Sequence, residues 1–175
     1  MRTWIRKSSI AGWRIPLGRS AELAALAASC FYLWASPPAV ISYPSQFRSW
    51  THVKTQLIGE KSPFFAGSGG IHHVYANDKA LEGLKTGHYS DGAVLVFDLV
   101  EAREKAGVTV EGARLRVDVM IKSAARFPAS GGWGFERFMG SDVTKGTLDE
   151  SGRQGCAGCH KNRSDHDFVF SELRP

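Results

Sequence analysis

Residues 114–122 alternate between polar and apolar side chains, except for Met120 at one of the polar positions. Charged residues and a methionine separate the apolar positions, which are Leu115, Val117, Val119 and Ile121. Successive side chains of an extended chain point to opposite faces, so this period of two predicts a β-strand with one apolar face. A second strand is predicted at Ala93–Val100, which is apolar on both faces and follows the turn residues Asp91-Gly92.

Two shorter strands are predicted at Ile71–Ala76 and Trp133–Phe138, because both segments contain β-branched or aromatic residues and are flanked by glycines. A short helix is predicted over Lys79–Thr86, where Asn77 or Asp78 can cap the first turn and a glycine follows the last. The order strand, helix, strand, strand, strand indicates a single α+β domain built on a sheet.

The N-terminal 36 residues differ from this pattern. They contain five Lys or Arg residues and an apolar run over Leu23–Trp34 that is interrupted by little except Ser29 and Cys30. A basic region with an apolar run is typical of a secretory signal peptide, and Pro37-Pro38 ends any helix there. We predict that residues 1–36 are a signal peptide or a membrane anchor, and that residues 37–175 form an exported domain.

Removal of this leader changes the charge of the protein. The whole chain has a formal net charge of +5, of which the first 36 residues contribute +4, so about +1 is left on the domain. A domain close to neutrality has no strongly basic surface, so neither nucleic acid nor an anionic membrane is expected as a partner. Its length of about 135 residues is enough for a hydrophobic core without disulfides.

The motif that carries chemistry lies close to the C-terminus. Residues 156–160 read Cys-Ala-Gly-Cys-His, a C-x-x-C-H sequence. Two thiols at this spacing can add to the two vinyl groups of one porphyrin, and the adjoining imidazole can then bind the iron. We therefore predict one haem c per chain, attached through thioether bonds to Cys156 and Cys159, with His160 as the proximal ligand of the iron.

A C-x-x-C pair also occurs in zinc sites and in thiol redox sites. Both alternatives are less favourable here: Cys30 is the only other cysteine, and few residues follow the motif to build the long helix of a redox fold. A four-helix cytochrome would need long helices of 3.6-residue period, and none is predicted between Ile71 and Phe138. We therefore expect the haem to pack on the sheet.

These features resemble the cytochrome P-460 family, which includes the sheet-based cytochromes called c′-beta. The resemblance covers about residues 47–170. The segments that carry it, besides the C-x-x-C-H motif, are Arg48-Ser49-Trp50, Ile71-His72-His73-Val74-Tyr75, Gly87-His88-Tyr89-Ser90-Asp91-Gly92-Ala93-Val94-Leu95, Ile121-Lys122-Ser123, Gly132-Trp133 and Asp167-Phe168-Val169-Phe170. The resemblance implies an antiparallel sheet with a few short helices, a homodimer, and a haem on the sheet.

One departure from the family's pattern bears on the function. In the hydroxylamine-oxidising members, a lysine on the strand after the Asp-Gly turn is bonded covalently to the porphyrin edge, and Phe97 stands at that place here. Phenylalanine has no nucleophilic nitrogen, so this bond cannot form. The chain thus resembles the c′-beta branch, whose distal pocket is lined by phenylalanines and binds small gases. Phe64 or Phe65 is expected to supply a second ring, with core packing as the alternative.

The family's enzymes also have a distal carboxylate, and Asp118 stands at the matching position, where it could accept a proton. The strand alternation places Asp118 beside Arg116, so solvation or an ion pair is the alternative role. None of the other histidines and methionines is singled out by its spacing, so we expect the sixth iron position to be open or water-bound. Those residues are Met120, Met139, His52, His72, His73, His88 and His166.

The sequence therefore favours a periplasmic mono-haem cytochrome c with five-coordinate iron that binds small gases, nitric oxide or carbon monoxide. Two other functions stay open. One is an oxidoreductase acting on hydroxylamine or nitric oxide, and the other is a six-coordinate electron carrier that meets a small redox partner protein.

Overall fold

A computed structural model describes residues 40–173; the predicted leader, with Cys30, lies outside the described residues. The domain is built on a five-stranded antiparallel sheet whose strands are neighbours in chain order. The strands are β1 (Thr51–Ile58), β2 (Gly70–Ala76), β3 (Val94–Lys105), β4 (Val108–Lys122) and β5 (Trp133–Met139). An α+β domain with an antiparallel sheet, as predicted, is therefore confirmed.

Three α-helices accompany the sheet: α1 (Phe65–Ser68), α2 (Asp78–Thr86) and α3 (Glu150–His160). Short 3-10 helices lie at Phe47–Ser49, Pro128–Ser130 and Lys161–His166. The predicted capping of α2 is confirmed, because the Asn77 side chain accepts a hydrogen bond from the Ala80 amide and Gly87 ends the helix in the left-handed conformation, with φ of 79°. Within residues 40–173, no helix has the length and apolar character needed to span a membrane.

The four predicted strands are all present, but two of them extend further than the sequence pattern indicates. Strands β3 and β4 continue past the apolar segments to Lys105 and from Val108, and they form a long hairpin. Ala106 and Gly107 turn this hairpin, with φ values of 53° and 77°. Strand β1 is an addition to the prediction. Its residues are mostly exposed at the edge of the sheet, so it lacks the apolar alternation that reveals a half-buried strand.

Each face of the sheet carries its own hydrophobic core. The core on the side of α2 and α3, here called the helix-side core, contains Val53, Val74, Ala76, Ala80, Tyr89, Ala93, Leu95, Met120, Trp133, Phe135 and Val169. The core on the other face, here called the opposite core, contains Ile41, Phe47, Val96, Val117, Val119 and Phe138. Neighbours such as Leu95 and Val96 fall into different cores because strand side chains alternate between faces.

A buried carboxylate interrupts the apolar sequence of β3. Asp98 has no solvent exposure, and its two oxygens accept hydrogen bonds from the guanidinium groups of Arg114 and Arg48. The Asp98 Oδ1 atom lies 2.8 Å from Nε of Arg114 and the Oδ2 atom lies 2.5 Å from Nη2 of Arg48. Asp98 thus joins the segment before β1 to strands β3 and β4 through ion pairs.

Candidate haem site

The C-x-x-C-H motif forms the last turns of α3. This helix begins at a defined cap, because the Asp149 carboxylate accepts a hydrogen bond from the Gly152 amide at 2.7 Å. Residues three and four positions apart lie on the same face of a helix, so Cys156, Cys159 and His160 share one face of α3. Both cysteines are free thiols on one side of the helix, as the attachment of one porphyrin requires.

The two thiols have different surroundings. Cys156 is half-buried and packs against the helix-side core, whereas Cys159 is exposed. Burial raises the pKa of the Cys156 thiol, and the nearby Arg137 guanidinium partly offsets this effect. In a bound porphyrin, Cys156 would hold the side next to the sheet and Cys159 the side next to solvent.

The His160 ring is held in one orientation. Its Nδ1 atom lies 2.7 Å from the backbone oxygen of Phe168, and because a carbonyl oxygen only accepts, Nδ1 must carry the proton. The Nε2 atom therefore has the free lone pair that an iron ligand needs. The ring also contacts Phe135 and Phe170, with ring centroids 4.9 Å and 5.1 Å away. Burial lowers the pKa of His160, which favours the neutral, metal-binding imidazole.

A row of side chains crosses the sheet on the face that α3 covers. Phe97 on β3 is paired with Asp118 on β4, and Asp118 is paired with Arg137 on β5. The Phe97 ring packs against the helix-side core together with Cys156. The charge of Asp118 acts on the pKa of both Cys156 and His160, which places the carboxylate near the motif. Phe97, Asp118 and the C-x-x-C-H residues therefore lie on the same side of the sheet, and their roles in a haem site stay predictions.

The Asp118 carboxylate is held by two arginines. Its Oδ2 atom accepts a hydrogen bond from Nε of Arg116 at 2.8 Å, and its Oδ1 atom accepts one from Nε of Arg137 at 2.5 Å. Arg116 also donates to the backbone oxygen of Gly67 and to the Ser68 hydroxyl, which ties the cluster to α1. The predicted ion pair with Arg116 is confirmed. Arg137 was missed, because only the register of β4 against β5 places it opposite Asp118.

The two candidates for a second aromatic ring lie in more open positions. Phe64 is 71% exposed and lines a surface groove with Leu57 and Ile58 at the end of β1. Phe65, the first residue of α1, is 41% exposed. The structure does not place either ring in the helix-side core with Phe97. Their role in a distal pocket stays a prediction.

The possible sixth ligands divide between the two faces of the sheet. His72 and Met120 are buried on the helix side: the His72 ring lies 6.2 Å from that of Phe97, and its Nε2 atom donates to the Ser68 backbone oxygen at 2.6 Å. His73 is on the opposite face, where its Nε2 atom lies 2.7 Å from a Glu111 oxygen. The remaining candidates lie at the surface or on β1; they are His52, His88, Met139 and His166.

These residues fit a haem c. A flat macrocycle needs an apolar surface next to its attachment points, and Phe97, Phe135 and Phe170 provide aromatic rings around Cys156 and His160. Helix α3 has no fully buried residue, and a Cβ atom added at Gly155 or Gly158 would meet no atom within 4 Å. The surface of α3 around these two glycines therefore has open space beside it. Cys156, Cys159 and His160 would hold the haem, and its iron would supply a redox-active coordination site.

The buried carboxylate of Glu136 anchors α3 to the sheet. It accepts hydrogen bonds from the Leu148 amide at 2.9 Å and from Arg153 of α3 at 2.6 Å, and it is 4% exposed. Burial alone would raise the pKa of Glu136, but the bonds from the Arg137 and Leu148 amides and from Arg153 outweigh it, so the pKa is lowered.

Glu136→Gln is therefore expected to destabilise the domain by about 1–3 kcal/mol at neutral pH, because the ion pair to Arg153 is lost. A carboxyl whose pKa is lowered on folding stabilises above its unfolded pKa, and this contribution disappears as the pH falls through the folded pKa. Urea unfolding of both proteins at neutral and acid pH measures the difference, with Glu150→Gln at the exposed start of α3 as the control. An equal difference at both pH values would contradict this assignment.

Comparison with known proteins agrees with the geometry. The model of the Cytochrome P460 family matches residues 44–171, which span the sheet, the C-x-x-C-H helix and the turn that follows it. No curated protein matches the chain significantly. The match covers well over half of the chain and includes every residue assigned above to the haem site. The protein therefore belongs to the Cytochrome P460 family and is a haem c protein.

Proposed function

We propose that the protein is an exported mono-haem cytochrome of the c′-beta type that binds nitric oxide or carbon monoxide. His160 is the single protein ligand of the iron, and the sixth position is open to the gas. The observation that carries this proposal is the position of Phe97. The resemblance assigns it the place of the family's cross-linking lysine, and both Phe97 and Cys156 pack against the helix-side core.

The surroundings of Asp118 weigh against hydroxylamine oxidation. A general base must be free to accept a proton from the substrate, whereas both oxygens of Asp118 already accept hydrogen bonds from Arg116 and Arg137. Lys122, the lysine closest in sequence to Asp118, donates to Asp167 and to the Gly131 backbone oxygen instead. Neither the cross-link nor the base of the hydroxylamine-oxidising members therefore has a ready equivalent in this site.

The site is more polar than the sequence alone indicates. The sequence predicts an apolar distal side, but charged residues follow Phe97 in the same row across the sheet. Asp118 accepts hydrogen bonds from both neighbouring guanidinium groups, so these charges are largely paired with each other. An uncharged diatomic gas loses few hydrogen bonds to water when it enters the site, so it needs no polar partners there. A polar amine must give up its hydrogen bonds to water and finds few free partners in return. The polar cluster is thus compatible with gas binding.

Export and assembly are part of the same proposal. The basic and apolar leader supports delivery of the domain to the periplasm, where haem c is normally attached. A homodimer completes the proposal and rests on the resemblance to the family. A small redox partner protein belongs to the alternative function, the six-coordinate electron carrier.

The optical spectrum and ligand binding of the purified protein test the function. We expect a broad high-spin spectrum for the reduced protein, binding of carbon monoxide and nitric oxide, and negligible oxidation of hydroxylamine with an artificial electron acceptor. Sharp, split visible bands without carbon monoxide binding would instead identify a six-coordinate electron carrier. Rapid hydroxylamine oxidation that disappears in Asp118→Asn would identify an oxidoreductase.

Phe97→Val tests the position of the ring directly. If Phe97 lies beside the sixth position, the smaller side chain relieves crowding, and the rate constant for carbon monoxide binding should rise about tenfold, equivalent to about 1.4 kcal/mol. Flash photolysis measures this rate. Phe127→Val is the control, because Phe127 packs against the opposite core. Equal effects of the two substitutions on the binding rate would mean that Phe97 does not lie beside the path of the ligand.

A further inference from the structure

The segment after α3 contains an unusual backbone turn. Asp167 and Phe168 are consecutive non-glycine residues in the left-handed region, with φ values of 48° and 67°. Left-handed backbone is strained for a residue with a side chain, so two such residues in succession persist only where surrounding contacts enforce them. This turn delivers the backbone oxygen of Phe168 to Nδ1 of His160.

The Asp167 side chain connects the turn to three separate parts of the domain. Its Oδ1 atom accepts a hydrogen bond from Nζ of Lys122 at 2.5 Å, at the end of β4. Its Oδ2 atom accepts one from the Tyr89 amide at 3.2 Å, in the loop after α2. Trp133 at the start of β5 donates from Nε1 to the Asp167 backbone oxygen at 2.8 Å and lies 3.3 Å from Oδ1.

The partners of Asp167 are themselves firmly held. Trp133 is fully buried in the helix-side core, and Lys122 also donates to the Gly131 backbone oxygen. The Phe168 ring packs so closely on Gly131 that a Cβ atom there would come within 2.3 Å of it. The contacts therefore restrain the turn from the ends of β4 and β5, from the loop after α2 and from Gly131. The contacts supply the stabilisation that offsets the strained backbone.

We propose that Asp167 is a positioning residue for the proximal ligand: it holds the strained turn that fixes the Phe168 carbonyl on His160. A firm hydrogen bond from Nδ1–H increases the electron donation of the ring through Nε2 and fixes the ring's orientation toward the metal. Asp167 thereby strengthens the bond between His160 and the iron without touching either. This inference rests on His160 as the proximal ligand and does not depend on which gas or substrate binds.

The test compares Asp167→Asn with wild type in the haem-loaded protein. Asparagine keeps the size of the side chain but loses the ion pair to Lys122, so the turn and the Phe168 carbonyl are held less firmly. We expect the iron–histidine stretching frequency of the reduced protein, measured by resonance Raman spectroscopy, to shift to lower wavenumber, and the reduction potential to rise. Asp165→Asn is the matched control, because Asp165 is exposed and lies in the same segment. A stretching frequency unchanged by Asp167→Asn overturns the proposal.

A double variant separates positioning from charge. Lys122→Met with Asp167→Asn removes both members of the ion pair and restores the local net charge. The lowered stretching frequency should persist in the double variant, because the anchor is still missing. Its return to the wild-type value would show that only charge matters and would overturn the proposal.

If Asp167→Asn does not yield a folded haem protein, Trp133→Phe gives the same information. Phenylalanine keeps an aromatic ring at this buried position and removes the indole N–H, which donates to the Asp167 backbone oxygen and lies 3.3 Å from Oδ1. The stretching frequency should shift in the same direction, and no shift in a folded Trp133→Phe protein overturns the proposal. Replacement of His160 by alanine separates this outcome from a wrong choice of ligand: loss of the iron–histidine band confirms His160 as the ligand independently of Asp167.

Discussion

Replacement of both Cys156 and Cys159 by alanine is expected to abolish covalent attachment of the haem. Acid–acetone should extract the pigment of the double variant into the solvent, whereas that of the wild type should stay with the polypeptide, because thioether bonds survive this treatment. The loss should be complete, since these are the only cysteines of the motif helix and the only cysteines among residues 40–173.

The single variants should differ from each other. Cys156 packs against the helix-side core and Cys159 is exposed. Cys159→Ala should therefore keep a haem positioned by its one remaining bond, whereas Cys156→Ala should keep a bond but lose the fixed position, with a lower yield of mature protein. Intact-mass measurement and the extraction assay together report both effects. Cys30→Ala, which changes the third cysteine of the chain, is the control and should leave attachment complete.

Extraction of the wild-type pigment into the solvent would contradict covalent attachment. It would leave His160 as a ligand of a non-covalent haem and would require another role for the two thiols. Attachment that survives the double substitution would point to a different covalent bond, and peptide mapping would then locate the residue involved.

The central strands of the fold could be predicted because their signal is local. Val117 and Val119 alternate with charged residues, and one face of β4 does pack in the opposite core. The other face is not simply solvated, however. Arg116 and Asp118 lie on the side that α3 covers, where they form an ion-paired cluster. A period of two identifies the strand, but it does not reveal what covers its polar face.

The site could be predicted only as far as its chemistry depends on residue type. Cys156, Cys159 and His160 are recognisable because haem attachment requires these groups at this spacing. The partner of His160 is a backbone oxygen, and a carbonyl of Phe168 leaves no mark in the sequence. Likewise, Arg137 becomes a partner of Asp118 only through strand register, which depends on the pairing of β4 with β5.

The ion pairs of Asp98 in the core are a further feature that the sequence alone does not predict. A single aspartate within an apolar segment does not disrupt the strand prediction, and the sequence does not indicate how its charge is compensated. The structure compensates it with two arginines that come from outside β3, at positions 48 and 114. Burial alone would lower the pKa of Arg114, but the hydrogen bond and charge of the adjacent Asp98 carboxylate outweigh this effect, so the pKa is raised.

Asp98→Ala is accordingly expected to destabilise the domain by about 3–5 kcal/mol, because it removes a fully buried carboxylate and leaves Arg114, which is 24% exposed, without its partner. The total stability of a small domain is about 5–15 kcal/mol, so this loss is a large fraction of it. Urea unfolding of the haem-loaded protein at constant pH, followed by far-UV circular dichroism, measures the difference. The slope of the transition should stay unchanged if the folded state keeps its compactness.

Glu101→Ala provides the matched control for Asp98→Ala. Glu101 is also a carboxylate of β3 paired with an arginine, Arg103, but this pair lies at the solvent-exposed end of the hairpin. Water solvates both charges there, so removal of the carboxylate should leave the unfolding midpoint nearly unchanged. Equal effects of Asp98→Ala and Glu101→Ala would mean that burial does not decide the strength of these pairs. A large effect confined to Asp98 would show that burial makes its ion pairs strong, including the pair to Arg48 that helps to join the segment before β1 to the sheet.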